Sequence, residues 1–497
     1  MYFLGIDLGS SSVKISVFNA EKQHIMGSVT MPESEMKIDA PQHGFAEQNP
    51  NDWWQYTKDA IKRLKTAYNI DLKKIEAIGI AYQMHGLVLT DNDMHPVRPA
   101  IIWCDSRAVK YGDATYHKIG KTNCNEMLLG SPGNFTASKL KWVKENEPHT
   151  LKKAKYMMLP GDFIAAKLTG IAQIATSGLS EATLWNFKEQ RLATEVLDAM
   201  ELPTEIVPEI VPNFGEQAKI LPKIAEDLGL SKNVIISYRG GDQPNNALSL
   251  NTLNPGEIAT TAGTSAVIYA VSNQNTFDKE NRINTFLHIN NTPELKRNGV
   301  MVCINGSGIL YQWLRKILST GKTEKISYNR LNQLASNTIA GSKGLRFYPF
   351  GNGVERIFNN KEVTSGIQFL NFNMHGAEEL VRAACEGIVF GMNYGFDVMK
   401  EVGVSGSVVK AGNANLFLSP VFREIFVNTT NTSLEIYNTS GAEGAARGAA
   451  FGSGYYSSLE EAFTNLELLK TINPTTKLTD EYTEIYQHWK TYINTDI

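Results

Sequence analysis

The chain carries one local plan twice, once in each half. Tyr2-Phe3-Leu4-Gly5-Ile6-Asp7 reads as a strand and Leu8-Gly9-Ser10-Ser11-Ser12 as a turn. Val13, Ile15 and Val17, alternating with Lys14, Ser16 and Phe18, read as a returning strand. In the second half Glu257-Ile258-Ala259-Thr260 leads through Thr261-Ala262-Gly263-Thr264-Ser265-Ala266 to Val267-Ile268-Tyr269-Ala270-Val271. Turns of this composition offer closely spaced backbone N–H groups and hydroxyls, all donors for phosphate oxygens. An ordinary hairpin with a serine turn is the plainer reading of either unit alone. Two of them, one per half, point more firmly to phosphate. Residue identity between the halves is negligible, so the repeat is one of plan. A chain of 497 residues is too long for one core and suits two large domains.

Between the two units lies Arg239-Gly240-Gly241-Asp242-Gln243-Pro244-Asn245-Asn246. Val234-Ile235-Ile236 leads in as a strand, and two glycines break it before a lone carboxylate. A strand that delivers an Asp to a sheet edge is suited to aim a general base into a cleft. Turns also collect Gly and Asp for backbone reasons, so the flanking segments decide the reading. In the first unit Asp7 could hold Mg²⁺ through water, because that ion keeps much of its hydration shell.

A candidate polyol-binding set precedes the centre. Ile75–Tyr82 is strand-like and empties into Gln83-Met84-His85-Gly86. A second apolar run, Ala100-Ile101-Ile102, continues as Trp103-Cys104-Asp105-Ser106-Arg107. Trp103, Asp105 and Arg107 share a face if the strand continues, mixing ring stacking with polar groups. That mixture suits a sugar. The alternative is a core histidine and a surface ion pair. Helices are predicted from Asn49 to Tyr68 with Asn51 as cap, from Phe135 to Asn146 capped by Thr136 or Ser138, and from Pro160 to Leu168. In the C-terminal part Val408-Val409-Lys410 leads to Ala411-Gly412-Asn413-Ala414-Asn415. A helix follows with Leu418, Val421, Phe422, Ile425 and Phe426 on its apolar side. Ser440–Ala450 is a helix of tiny residues, suited to close backbone approach. Residues 458–497 read as helix.

A net charge of −3 without a basic tail makes nucleic acid and anionic membrane unnatural partners. The four cysteines (Cys104, Cys124, Cys303 and Cys385) are scattered, which favours neither a zinc site nor a disulfide framework and fits a reducing cytoplasm. No stretch approaches the roughly 20 apolar residues of a membrane span, and Asp7 interrupts the apolar start, unlike a signal peptide. Gly120-Lys121-Thr122 and Gly321-Lys322-Thr323 lack the earlier glycine of a P-loop, because Thr115 and Lys316 stand there. Any ATP would be held by the hairpin turns instead.

Taken in order, these segments resemble the FGGY carbohydrate kinases over most of the chain. Gly5–Lys14 resembles the family's first phosphate motif, and Gln83–Gly86 and Trp103–Arg107 its sugar-site segments. Lys139-Leu140-Lys141-Trp142-Val143-Lys144-Glu145-Asn146 resembles its first signature, and Gly240-Gly241-Asp242 its catalytic segment. Ala262-Gly263-Thr264-Ser265 resembles the second phosphate motif, Arg382–Gly387 falls in the second signature, and Ala411–Asn415 resembles the adenosine motif. The chain departs from the family pattern at Gln368, Leu370, Asn371, Cys385, Asn413 and the loop Phe350–Arg356.

The resemblance implies an α/β fold of two ribonuclease H-like domains, of the actin, Hsp70 and sugar kinase type, with a cleft between them. Residues 1–246 would bind sugar and supply catalysis, and residues 247–497 would bind nucleotide. It implies ATP-dependent phosphorylation with Asp242 as general base and Asp7 and Asp242 at Mg²⁺. Met84, His85, Gly86, Trp103, Asp105, Arg107, Asp242 and Gln243 would bind sugar. Gly9, Ser10, Ser11, Ser12, Lys14, Gly263, Thr264, Ser265, Gly412, Asn413, Ala414 and Asn415 would bind ATP. Within the family, Met84-His85-Gly86 favours D-xylulose over glycerol or ribulose as acceptor. Fuculose, gluconate or glycerol as acceptor, and a non-catalytic sugar- and ATP-binding sensor, are the alternatives. The implied partners are a small sugar and ATP, with a homodimer left open.

Overall fold

The computed structural model describes every residue except Lys322, Asn359, Asn360 and Ile497, so the lysine of Gly321-Lys322-Thr323 lies outside the described residues. In chain order the elements that place the site begin with β1 (Tyr2–Leu8), β2 (Val13–Asn19), β3 (His24–Met31), α1 (Pro50–Tyr68) and β4 (Ile75–Tyr82). They continue with α2 (Thr136–Asn146), α3 (Pro160–Thr169), α4 (Thr176–Glu181), β5 (Phe214–Lys219), β6 (Ile235–Gly241) and α5 (Asp242–Ser249). The second half adds β7 (Ile258–Ala262), β8 (Ala266–Ser272), β9 (Asn284–Leu287), β10 (Asn298–Ile304), α6 (Gly308–Leu318) and α7 (Ala377–Glu401). It closes with β11 (Val408–Gly412), α8 (Pro420–Thr430), β12 (Ser433–Tyr437), α9 (Gly441–Gly452), β13 (Leu468–Ile472) and α10 (Thr476–Asp496).

Two sheets result, ordered β5-β6-β4-β1-β2-β3 and β9-β10-β8-β7-β11-β12-β13. In the first, β3, β2 and β1 run antiparallel, β4 and β6 lie parallel beyond β1, and β5 closes the edge antiparallel. The second repeats that sequence of senses with β10, β8, β7, β11, β12 and β13, and gains β9 outside β10. The repeated plan of the two hairpins therefore extends to whole sheets. Each sheet has its own apolar core: Ile6, Ile15, Trp53, Ile80 and Phe163 belong to one, and Ile268, Val302, Phe390, Phe426 and Trp489 to the other.

The helix of tiny residues, α9, lies in the chain between β12 and β13 of the second sheet but packs on the first. A Cβ on Gly5 would lie 1.8 Å from the Ala442 carbonyl oxygen, and one on Gly79 would lie 2.0 Å from that of Ala445. Tight helix packing accounts for its composition.

Several local expectations change. Asn49, not Asn51, caps α1, and its Oδ1 accepts the Asn51 N–H at 3.1 Å. Thr136 and Ser138 lie inside α2, and their hydroxyls donate to the Gly86 and Pro132 carbonyls instead of capping. The strand before the central acid is not broken by its glycines but runs through Gly241. Leu418 lies in a short 3₁₀ turn and is exposed, because the helix proper begins only at Pro420. The tail is not all helix: Leu468–Ile472 pairs with β12 as an edge strand. Among the described residues no helix is long and apolar enough to cross a membrane.

Candidate active site

The two hairpins meet the expectations of strand and turn, in register Asp7↔Lys14 in one and Ala262↔Ala266 in the other. In the first turn the Gly9 N–H closes onto the Ser12 carbonyl at 3.0 Å. In the second, Gly263 and Thr264 offer their carbonyls to Gly308 and Ile309, so the turn is latched to the start of α6. Gly9 and Gly263 differ from the packing glycines: a Cβ on either would meet nothing nearer than 3.4 Å, which leaves room above both turns. Asn415, at a left-handed φ of 54°, lies against Gly263, so the segment Gly412–Asn415 adjoins the second turn. Asn413 is partly committed, since its Oδ1 accepts from Arg423 at 2.8 Å.

Asp242 is the first residue of α5, directly after β6. Burial pushes its carboxyl up to about 7, the nearby Asp7 adds to the rise, and hydrogen bonds from Gln243 oppose it. Asp7 is itself raised by burial, with Lys14 opposing. A Cβ on Gly441 would fall 2.5 Å from Asp7 Oδ2, so the start of α9 seats that carboxylate. Asn245 donates to the Gly441 carbonyl at 2.9 Å and fixes the same corner from α5. On the other side Cys303 at the end of β10 hydrogen-bonds Ser265, and burial with the Glu355 and Asp242 charges pushes its thiol up to about 12. Asp242 thus lies within electrostatic reach of both hairpins.

Two buried carboxylates, one of them raised further by the other's charge, fit a divalent cation, which would relieve that repulsion. Among the described residues no group of three or more His, Cys, Asp or Glu surrounds a common point. Two carboxylates with the balance from water and phosphate oxygens is the set Mg²⁺ accepts.

On the sugar-segment side, Met84 is buried against the backbone of Gly241, where a Cβ would meet its Cγ at 2.6 Å. His85 holds a left-handed φ of 61°. Its Nδ1 lies 3.1 Å from the Glu181 carbonyl. A carbonyl only accepts, so Nδ1 carries the proton and Nε2 is left as an acceptor. Burial first, and then the Lys139 charge, push the ring down to about 3, which keeps it neutral. Its faces pack on Phe135 and Phe286, at centroid distances of 4.6 and 5.3 Å. Phe286 comes from β9, so the second sheet reaches the His85 segment. Leu287 on the same strand donates to Ser180 Oγ at 2.9 Å.

The segment 103–107 does not continue as a strand, which stops at Ile101. Trp103 is 38% exposed, and its Nε1 lies 3.5 Å from Ser10 Oγ, linking it to the first turn. Asp105 and Arg107 are buried and turned to each other. Asp105 accepts the Ala46 and Arg107 N–H groups at 2.6 and 2.9 Å. Arg107 pairs with Asp105 and with Glu47, each at 2.7 Å, and stacks on Phe45 at 3.6 Å. These two side chains hold the loop's shape, and of the three only Trp103 points to a turn.

The sequence reading did not find Glu181, Phe135 or Phe286. Glu181 Oε2 would lie 2.5 Å from a Cβ on Gly241, which only glycine permits. Burial, then the charges of Asp242 and Asp162, raise this carboxyl well above the usual range. No local pattern announces these residues, because each meets the site from a distant stretch of chain.

Comparison with known proteins agrees with this geometry. The N-terminal-domain model of the FGGY family of carbohydrate kinases matches residues 2–249, and its C-terminal-domain model matches residues 258–455. The xylulose kinase of Bacillus subtilis (strain 168) is 29% identical, over 98% of this chain and 97% of its own. A crystal structure described as a xyloylose kinase, from Brucella ovis, superposes with a TM-score of 0.88 at 23% identity, covering 99% of each chain. A gluconate kinase from Lactobacillus acidophilus superposes with a TM-score of 0.87 at 21% identity, over 99% of this chain and 97% of its own. Two domain models spanning nearly the whole chain, with the fold of solved sugar kinases, establish that the chain belongs to the FGGY family of carbohydrate kinases.

Proposed function

We propose that the chain phosphorylates D-xylulose, consuming ATP with Mg²⁺ and releasing ADP and D-xylulose 5-phosphate. Kinases of this family use ATP and a divalent metal, and the relative from Bacillus subtilis is named for xylulose. The observation that carries the reading is the position of Asp242, at the end of β6, beside Asp7 and in reach of the second hairpin. In this reading Asp242 accepts the proton of the sugar hydroxyl whose oxygen attacks the γ-phosphorus. Asp7 and Asp242 would hold the divalent ion, which when bound would supply neutralisation of charge on the transferring phosphoryl group. Gly9, Ser10, Ser11, Ser12 and Lys14 face the phosphates from one side, and Gly263, Thr264 and Ser265 from the other. The segment Gly412–Asn415 takes the adenosine. Met84, His85, Gly86 and Trp103 border the sugar, with His85 Nε2 accepting a hydrogen bond from a sugar hydroxyl. Gln243 orients Asp242, while Asp105 and Arg107 shape the loop that carries Trp103. Catalysis is then mainly positioning and charge stabilisation.

The gluconate kinase shares the fold as fully as the xyloylose kinase does, so fold alone does not choose the acceptor. A coupled ADP-release assay over ketoses, polyols and aldonates tests the reading. D-xylulose is expected to give the highest kcat/KM, with D-ribulose and polyols about tenfold poorer or worse, since a wrong epimer leaves buried polar groups unpaired. If gluconate, L-fuculose or glycerol outperforms it, the D-xylulose assignment falls. If none stimulates ADP release, a sugar-sensing role replaces catalysis.

A further inference from the structure

Lys139 lies near the start of α2 and is fully buried. Its ammonium donates to the His85 carbonyl at 2.7 Å and to the Ile102 carbonyl at 3.0 Å. Those carbonyls belong to two separate loops, one carrying Met84, His85 and Gly86, the other opening into Trp103. Among the described residues no carboxylate lies within ion-pair distance of this ammonium. Asp105 is near enough to favour its charge but spends its own oxygens on Arg107 and main-chain N–H groups. Burial pushes Lys139 down to about 8.

A buried ammonium without a paired carboxylate is an expensive way to join two loops. A neutral donor would serve stability better. What the lysine gives is one point with several donors that fixes both carbonyls relative to each other. The left-handed backbone of His85 aims its carbonyl at Lys139 while its ring meets the Glu181 carbonyl. The neighbouring Gly86 carbonyl is held from the same helix by Thr136 at 3.3 Å. Non-glycine residues in this conformation persist where their surroundings over-determine them, and here the surroundings are α2.

We propose that Lys139 is a positioning residue for the acceptor sugar, acting through the His85 and Trp103 loops and not by touching the substrate. The proposal rests on the reading that these two loops form the sugar side of the cleft. It goes beyond that reading by making the geometry of the acceptor pocket depend on a residue beneath it.

The test uses the full-length protein with Lys139→Met, which keeps the stem and removes the donors, and Lys139→Gln, which keeps an amide donor. KM for the best acceptor, KM for ATP, kcat and the melting temperature are measured for each, for His85→Ala, and for both double variants. Lys139→Met is expected to raise the acceptor KM about tenfold or more, the effect of one misplaced buried polar contact. KM for ATP should stay within about twofold of wild type, because the two carbonyls that Lys139 holds lie outside both phosphate turns. Lys139→Gln should lie between Lys139→Met and wild type. Each double variant with His85→Ala should be little worse than the worse single one, since both changes act at one point.

An unchanged acceptor KM in a folded Lys139→Met variant overturns the proposal. So does an equal rise for both substrates, or full additivity with His85→Ala. If Lys139→Met does not fold, the Lys139→Gln cycle with His85→Ala decides by the same criterion. If His85→Ala alone leaves the acceptor KM unchanged, the sugar-side reading itself is wrong. If His85→Ala raises it and the Lys139 variants do not, only the role of Lys139 is lost.

Discussion

The two hairpins share strands, sense and a small-residue turn, yet they are electrically different. The first carries Asp7 on the strand entering its turn, with Lys14 opposite in register. The corresponding position of the second is Thr261, paired with Val267, and that hairpin has no charged side chain between Ile258 and Ser272. Their supports differ as well. The first is seated by α9, which brings Gly441 against Asp7, and the second is latched by backbone bonds to α6. One repeated plan has thus been divided into a charged half suited to a metal and a neutral half suited to phosphate oxygens. A shared topology fixes where a turn stands, and the residue beside the turn decides what it binds.

This division can be broken by substitution. The largest effect is expected at Asp242, which is within reach of both hairpins and belongs to neither. Asp242→Asn keeps the shape and cannot take a proton, so kcat should fall by about 10²-fold or more. Nucleotide binding, followed by calorimetry with ADP, should persist because both turns are untouched. Near-wild-type turnover would remove Asp242 from the base role.

Asp7→Ala comes next. Turnover is expected to drop by about tenfold or more at fixed metal, and recovery should require higher divalent-ion concentrations. Acceptor KM should change little. A variant that keeps its metal requirement and loses sugar affinity instead would place Asp7 on the wrong side of the comparison.

The smallest effect belongs to the neutral turn. Thr264→Ala removes one hydroxyl donor, worth roughly 0.5–1.5 kcal/mol, so KM for ATP should rise a few-fold. Its metal-titration curve should overlay that of the wild type. If Thr264→Ala shifts the curve as Asp7→Ala does, the two turns are not specialised.

Much of this was legible before any coordinates. The alternation Val13, Ile15, Val17 and the run Val267–Val271 place both hairpins correctly, because a strand's period of two is a local signal. The place of Asp242 directly after a strand is legible for the same reason. Local signals fail where the partner is far away. Trp103, Asp105 and Arg107 look like one strand face, but Asp105 turns back to Ala46 and Arg107 reaches Glu47, and that network ends the strand at Ile101. Thr136 and Ser138 have the composition of caps, yet their hydroxyls serve carbonyls of other loops. Lys139 was visible only as part of a motif, since nothing in its neighbours reveals the two carbonyls it joins. Phe286 belongs to an extra strand that has no counterpart in the first sheet, so the repeat could not foretell it.

The placement of α9 on the first sheet has a consequence for how the chain is made. Tyr456, just beyond that helix, donates to the Ala20 carbonyl across 436 residues of sequence. On the ribosome, the first sheet emerges early and waits for its cover until nearly the whole protein has been synthesised. Gly5 and Gly79 leave a shallow apolar face that no earlier segment fills, so order of synthesis and order of completion are reversed. Until residues 441–452 are made, the part of the first sheet around Gly5 and Gly79 lacks the helix that covers it.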